Sequence, residues 1–174
     1  MPSPAAFPMM WALSRRIDRG PMGGRITLYL LKRGVLLFWA LWFALALATN
    51  AFDALKAAGA LAAGWSFASG NYAFMREVTA VHGAGPWLTN ALFAGVLVWE
   101  GLAFWLHGRA VVLFRDPGCR RPAVVAFAVS LALWSAFILA DEVFIAYAVE
   151  ATHMRLFVAE LVSLLVVLLL PDEA

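Results

Sequence analysis

Glutamate and histidine recur seven residues apart in two apolar stretches: Glu100 and His107 in one, His153 and Glu160 in the other. Seven residues is nearly two helical turns, so each pair falls on one face of a helix. Ionisable groups inside spanning helices are costly and normally face the bundle interior or water. If both helices descend from the outside, the groups order in depth as His153, Glu160, Glu100, His107. A series of that kind has the chemistry to relay protons or to bind a cation. The plainer reading puts the histidines in the headgroup zone and keeps the glutamates neutral or hydrogen-bonded inside the bundle. It carries more weight, because structural networks also hold acids in this way.

Two further constellations lie close by. Glu150-Ala-Thr-His153 has the Glu-x-x-His spacing that sets two ligands on one helical face in di-iron bundles, with Glu142 and Glu160 as further carboxylates. A di-iron site needs two copies of that motif, and the chain has one, so no metal and no cofactor is expected. Asp141, Glu142, Glu150 and Arg155 gather where an apolar segment has to reverse. The guanidinium of Arg155 is a planar fork able to bridge two carboxylates. The cluster therefore reads as a structural clasp. No Walker loop, dinucleotide fingerprint or Gly-x-Ser-x-Gly occurs, so the common soluble enzyme classes find no support.

The elements that must position these groups follow from composition. Apolar residues make up 64% of the 174 and charged residues 14%, against roughly 45–50% and about 25% in ordinary soluble domains. Such a chain has too little polar surface to cover a soluble fold, and the bilayer is the second apolar solvent it requires. Four apolar stretches, each near the roughly 20 residues needed to span, predict transmembrane helices over about 28–52, 87–107, 123–147 and 152–170. The last two come from one run without glycine or proline between Pro122 and Pro171. As a single helix that run would reach about 72 Å, against a hydrocarbon core of roughly 30 Å, so it must fold back once. The fold class expected is an all-α, four-helix transmembrane bundle.

The basic residues set its orientation. Arg15, Arg16, Arg19, Arg25, Lys32 and Arg33 lie at the start of the chain, and Arg109, Arg115, Arg120 and Arg121 lie around the second connection. The other two connections hold only Lys56, Arg76 and Arg155. The positive-inside bias then puts both termini and the basic loop in the cytoplasm, in a bacterial inner membrane. These clusters flank apolar runs and do not form a basic face, which argues against nucleic-acid binding. Residues 1–27 read as a basic cytoplasmic arm, and the first apolar run as a retained span, not a cleaved signal. Cys119 is the only cysteine, so no disulfide can form within the chain. The first connection, from Asp53 to Pro86, is long and apolar. Within it Asn71 can cap a short helix with Phe74, Met75, Val78 and Val81 on one side.

The order of features resembles a bacterial family of predicted small integral membrane proteins, domain of unknown function 2165. The resemblance rests on Asn50 and Asp53 followed by Asn71, Phe74 and Val78, and on Glu142-Val143-Phe144 followed by Arg155-Leu156-Phe157. The gap between Asp53 and Asn71 is longer than the family pattern, and the Met-Asp pair expected after the valine segment is absent. The resemblance implies a four-span architecture and no particular activity. The function expected from the sequence is a non-catalytic accessory or scaffold subunit, partnered by the lipid bilayer and by other membrane subunits. A proton-coupled module using Glu100 and Glu160 is the alternative, and a metalloprotein around Glu150 and His153 the second.

Overall fold

The computed structural model describes residues 22–114 and 120–171, with side chains from residue 28 onward. Most of the basic arm, with Arg115 and Cys119, lies outside the described residues. Helix α1 is Met22–Ala57, α2 is Asn71–Thr79, α3 is Pro86–Leu113, α4 is Arg121–Val143 and α5 is Tyr147–Leu169. Among the described residues α1, α3, α4 and α5 are long and apolar enough to cross a membrane. They pack as an antiparallel bundle, and α2 is the short helix in the first connection.

The helix ends follow from local chemistry. Proline opens both α3 and α4, where its missing N–H costs nothing and its fixed φ suits the first turn. At the end of α5, Leu170 is extended (ψ 137°) because the following Pro171 excludes the helical conformation. The carbonyls freed there are taken by cations. Lys32 Nζ donates to Leu170 O at 2.6 Å, and an Arg120 guanidinium nitrogen to Leu168 O at 2.7 Å. Positive charge at a helix C-terminus is favourable, and here it ties α1 and the start of α4 to α5. Tyr29 Oη adds a bond to Phe114 O at 2.9 Å. The end of the bundle that carries both termini is therefore stitched by polar contacts.

The reversal between α4 and α5 falls earlier than the sequence suggests, at residues 144–146 in place of 148–151. It is a Schellman-type stop. The Ala146 N–H donates to Asp141 O at 2.8 Å and the Ile145 N–H to Glu142 O at 3.4 Å. Such a stop needs one residue in the left-handed region, normally glycine. Here Ile145 holds it, at φ 57°, a strained choice for a β-branched residue.

Neighbouring helices meet through small residues. Ala103, Ala110, Ala123 and Ala126 are fully buried between α3 and α4, where they let the backbones approach. Leu36, Phe43 and Phe127 complete the core. Helix α1 packs along α3, α3 along α4, and α4 along α5, but α1 and α5 touch only sparingly. Their hydrogen bonds, Lys32 to Leu170 and Trp39 Nε1 to Ser163 Oγ at 3.0 Å, both lie toward the terminal end. Toward the opposite, loop end the two helices part, and α2 lies across the opening.

Candidate functional site

Under α2 the parted helices enclose a cavity of about 750 Å³. Its walls are mostly apolar, with Phe74, Met75 and Val78 of α2 forming the roof and Trp99, Phe137 and Leu156 the sides. Three of the four apolar side chains expected on one side of the short helix are thus turned toward the bundle mouth, while Val81, in the 3-10 turn that follows, is exposed. Ala91 and Gly95, which in sequence look like close-packing residues, also line the cavity. A Cβ added at Gly95 would meet nothing within 4 Å.

Polar groups enter this cavity at two places. The first is a chain of amides that ends on a carboxylate. Asn71 Nδ2 donates to Asn50 Oδ1 at 2.9 Å, and Asn50 Nδ2 donates to Glu100 Oε1 at 2.7 Å. The second carboxyl oxygen of Glu100 is buried and has no partner among the described residues. Such an atom costs about 1–3 kcal/mol or more in desolvation unless something bonds it. The second place is His153, whose Nδ1–H donates to Asp141 Oδ2 at 2.6 Å. Its ring stacks on Phe137, with centroids 4.9 Å apart.

The roof is held at both ends. Asp53 Oδ2 accepts the Tyr72 N–H at 2.7 Å and the Ser69 hydroxyl at 3.2 Å, so a carboxylate on α1 caps α2 from outside. The Asn71 side chain, expected as the cap, is spent on Asn50 instead. At the other end Thr79 Oγ1 and Thr89 Oγ1 lie 2.8 Å apart, both buried. His82 Nε2 donates to Val143 O at 2.6 Å, which latches the roof to the α4–α5 turn.

The remaining residues singled out in the sequence separate into those brought together and those left apart. Glu160 faces His107, with Oε1 4.0 Å from Nε2, while Glu100 faces Asn50. The four residues of the expected depth series thus have three sets of neighbours: Glu160 with His107, Glu100 with Asn50, and His153 with Asp141. Glu150 and His153 both lie on α5, but His153 is committed to Asp141. Among the described residues no three His, Cys, Asp or Glu side chains gather as a metal site would need. Of the four residues expected to form the clasp, Asp141 is bonded to His153. Arg155 and Glu142 are exposed, and Arg155 forms no ion pair among the described residues. The family-like residues Asn50, Asp53, Asn71 and Phe74 fall together around the roof.

In sequence Trp134 reads only as mid-membrane packing, whereas it lines the cavity and flanks Glu160, and Lys32 reads only as a topology signal, whereas it is buried at the terminal end. The signal for Lys32 was its position four residues inside the first span, where a cation needs a nearby partner. No family model, no curated protein and no solved structure matches this chain. The class established by fold and site is a small multi-pass membrane protein with a roofed cavity in its loop-end half.

Proposed function

We propose that this protein is an intramembrane binding module for a small amphipathic molecule whose polar end carries a hydrogen-bond donor. The observation that carries this is the unpartnered Glu100 oxygen at the end of the Asn71–Asn50 chain, beside a cavity that is otherwise apolar. A purely packing role would favour a filled interface, since voids cost stability. A ligand hydroxyl or ammonium would satisfy Glu100 once its carboxyl group turned toward the cavity, while the ligand's apolar body filled the space between Trp99, Phe137 and Val78. Such pockets, apolar with a few placed polar groups, are the usual form of small-molecule sites.

On this reading the terminal end faces the cytoplasm of a bacterial inner membrane, and the cavity opens toward the outer leaflet. The accessory-subunit role fits as a binding subunit, with room for a partner along α5, the span that buries least of its surface. The resemblance to the domain of unknown function 2165 family belongs to the same proposal, because the first of the two groups of residues that carry it, Asn50, Asp53, Asn71, Phe74 and Val78, surrounds the roof.

The test uses three probes with one chain length and different heads: dodecylamine, dodecanol and dodecanoate. Each is titrated against full-length protein in lipid nanodiscs, with tryptophan fluorescence as the readout. A hydrogen bond to a charged group contributes about 1.5–3 kcal/mol, so the amine should bind roughly 10- to 150-fold more tightly than dodecanoate, with the alcohol between. Glu100→Gln should level the series. Equal binding of all three to the wild type, or no saturable binding at all, would refute the reading.

A further inference from the structure

A second polar group lies on the far side of Trp134 from the cavity, in the terminal-end half of the bundle. Glu160 of α5 and His107 of α3 are both completely buried. The His107 ring is fixed by its neighbours. Its Nδ1 lies 3.0 Å from Ala103 O, and a carbonyl oxygen can only accept, so Nδ1 carries the hydrogen. Phe43 of α1 and Phe127 of α4 pack against the ring at 5.6 and 5.0 Å between centroids. In a neutral imidazole held this way Nε2 is an acceptor. It faces Glu160 Oε1, another acceptor, at 4.0 Å.

Two acceptors cannot satisfy each other. His107 Nε2 and both carboxyl oxygens of Glu160 have no hydrogen-bond partner among the described residues, and neither does Trp134 Nε1. Ser130 and Trp134 flank the Glu160 carboxyl group from α4, but the Ser130 hydroxyl is already bonded to Ala126 O and Phe127 O. From α1 the Phe43 ring packs against His107, and the buried cation of that helix, Lys32, lies eleven residues earlier and is bonded to Leu170 O. On α3, Arg109 is two residues away but exposed, with its guanidinium over the Trp105 ring, and the nearest buried titratable group is Glu100, seven residues away or about 10.5 Å along the axis. A donor is therefore needed between Nε2 and Oε1.

We infer that the His107–Glu160 pair is a site for one exchangeable proton, shared between Nε2 and the carboxyl group through a single bridging water, since the 4.0 Å gap is too wide for a direct bond. A bridging water would donate to both acceptors and accept from Trp134 N–H, which gives it the two to four polar partners a buried water needs. The proton comes from bulk water and returns there, so no other reactant is involved. The two groups then titrate as a pair and not one at a time. This inference does not rest on what the cavity binds.

The experiment uses full-length protein in nanodiscs, without ligand. The carboxylic-acid band is followed by infrared difference spectroscopy across a pH step, and the histidine ring nitrogens by ¹⁵N NMR. The site predicts that a carboxyl band and the His107 nitrogens change over the same pH interval, with uptake of one proton per chain. Glu160→Gln should abolish that band and the one-proton uptake, and His107→Asn should shift the band's midpoint. Should either variant fold poorly, the wild-type coincidence of the two signals still decides the matter. A His107 that stays Nδ1-protonated and neutral across the whole range in which the protein is folded, with no carboxyl band moving, would overturn the proposal. So would a carboxyl band that persists unchanged in Glu160→Gln.

Discussion

Replacing Asp53 with alanine should free the roof helix at its first turn while leaving the four spans in place. Asp53 Oδ2 is the acceptor for the Tyr72 N–H and for the Ser69 hydroxyl, which in turn accepts the Asn71 N–H at 3.1 Å. Loss of a capping acceptor costs about 0.5–2 kcal/mol. Loss of negative charge at a helix N-terminus adds about 0.3–1 kcal/mol. Together they come to about 1–3 kcal/mol, which is roughly a 5- to 150-fold rise in the open population of α2. Asp53→Asn keeps an oxygen acceptor and loses only the charge, so its effect should stay within about fivefold. Hydrogen–deuterium exchange in nanodiscs reads this directly, through peptides spanning α2 compared with peptides from α3 and α4. Faster exchange confined to α2, larger for alanine than for asparagine, is the expected pattern. Unchanged α2 exchange in Asp53→Ala would show that the cap does not hold the roof. Equal acceleration throughout the bundle would show that α2 is not a separate unit.

Three other outcomes follow from the same geometry, and a fourth from the proposed orientation. Ile145→Asn should raise thermal stability in detergent, because a left-handed residue with a branched side chain carries about 1–2 kcal/mol that asparagine largely avoids; a lower melting temperature would refute the strain at Ile145. Asp141→Ala should destabilise by about 1.5–3 kcal/mol through loss of the His153 bond, whereas Arg155→Ala should stay within about 0.5 kcal/mol as an exposed substitution; the reverse order in detergent melting would restore the arginine clasp. Gly95→Leu should fill the cavity and abolish dodecylamine binding while the protein melts at or above the wild-type temperature, and retained binding would place the ligand elsewhere. Cys119, in the basic connection, should react with an impermeant thiol reagent in inverted vesicles and not in intact cells, and the opposite result would invert the proposed orientation.

The four spans were legible because bilayer thickness leaves a chain this apolar few ways to fold, and Pro86, Pro122 and Pro171 mark three of the helix ends. The α4–α5 reversal was not legible, because its left-handed position is filled by Ile145, a residue that carries no turn signal. That displacement also decided the clasp. With α5 beginning at Tyr147, His153 comes round to face Asp141, and Arg155, two residues or about 200° further on, points away. Pairing of Glu160 with His107 depended on how far α5 slides along α3, which periodicity within one helix does not encode. The cavity was hidden for a related reason. It exists because α1 and α5 part toward the loop end, and nothing in either sequence stretch specifies the angle between them.

The bonds from Lys32 to Leu170 and from Trp39 to Ser163 make the terminal end of α1 and α5 a fulcrum. From Ser163 to Val149 at the cavity rim, α5 is a rigid arm of about 21 Å. A tilt of about 5° at that fulcrum would carry the rim by about 2 Å, a displacement set by the helix rise alone. Since α5 is packed along α4 and bonded to it through His153 and Asp141, α4 would swing with it, and the mouth would widen by about 2 Å without unwinding a turn. Entry of a ligand from the side would then be controlled by how α1 and α5 rock against each other, and the two tethers at their base would set the stiffness of the gate.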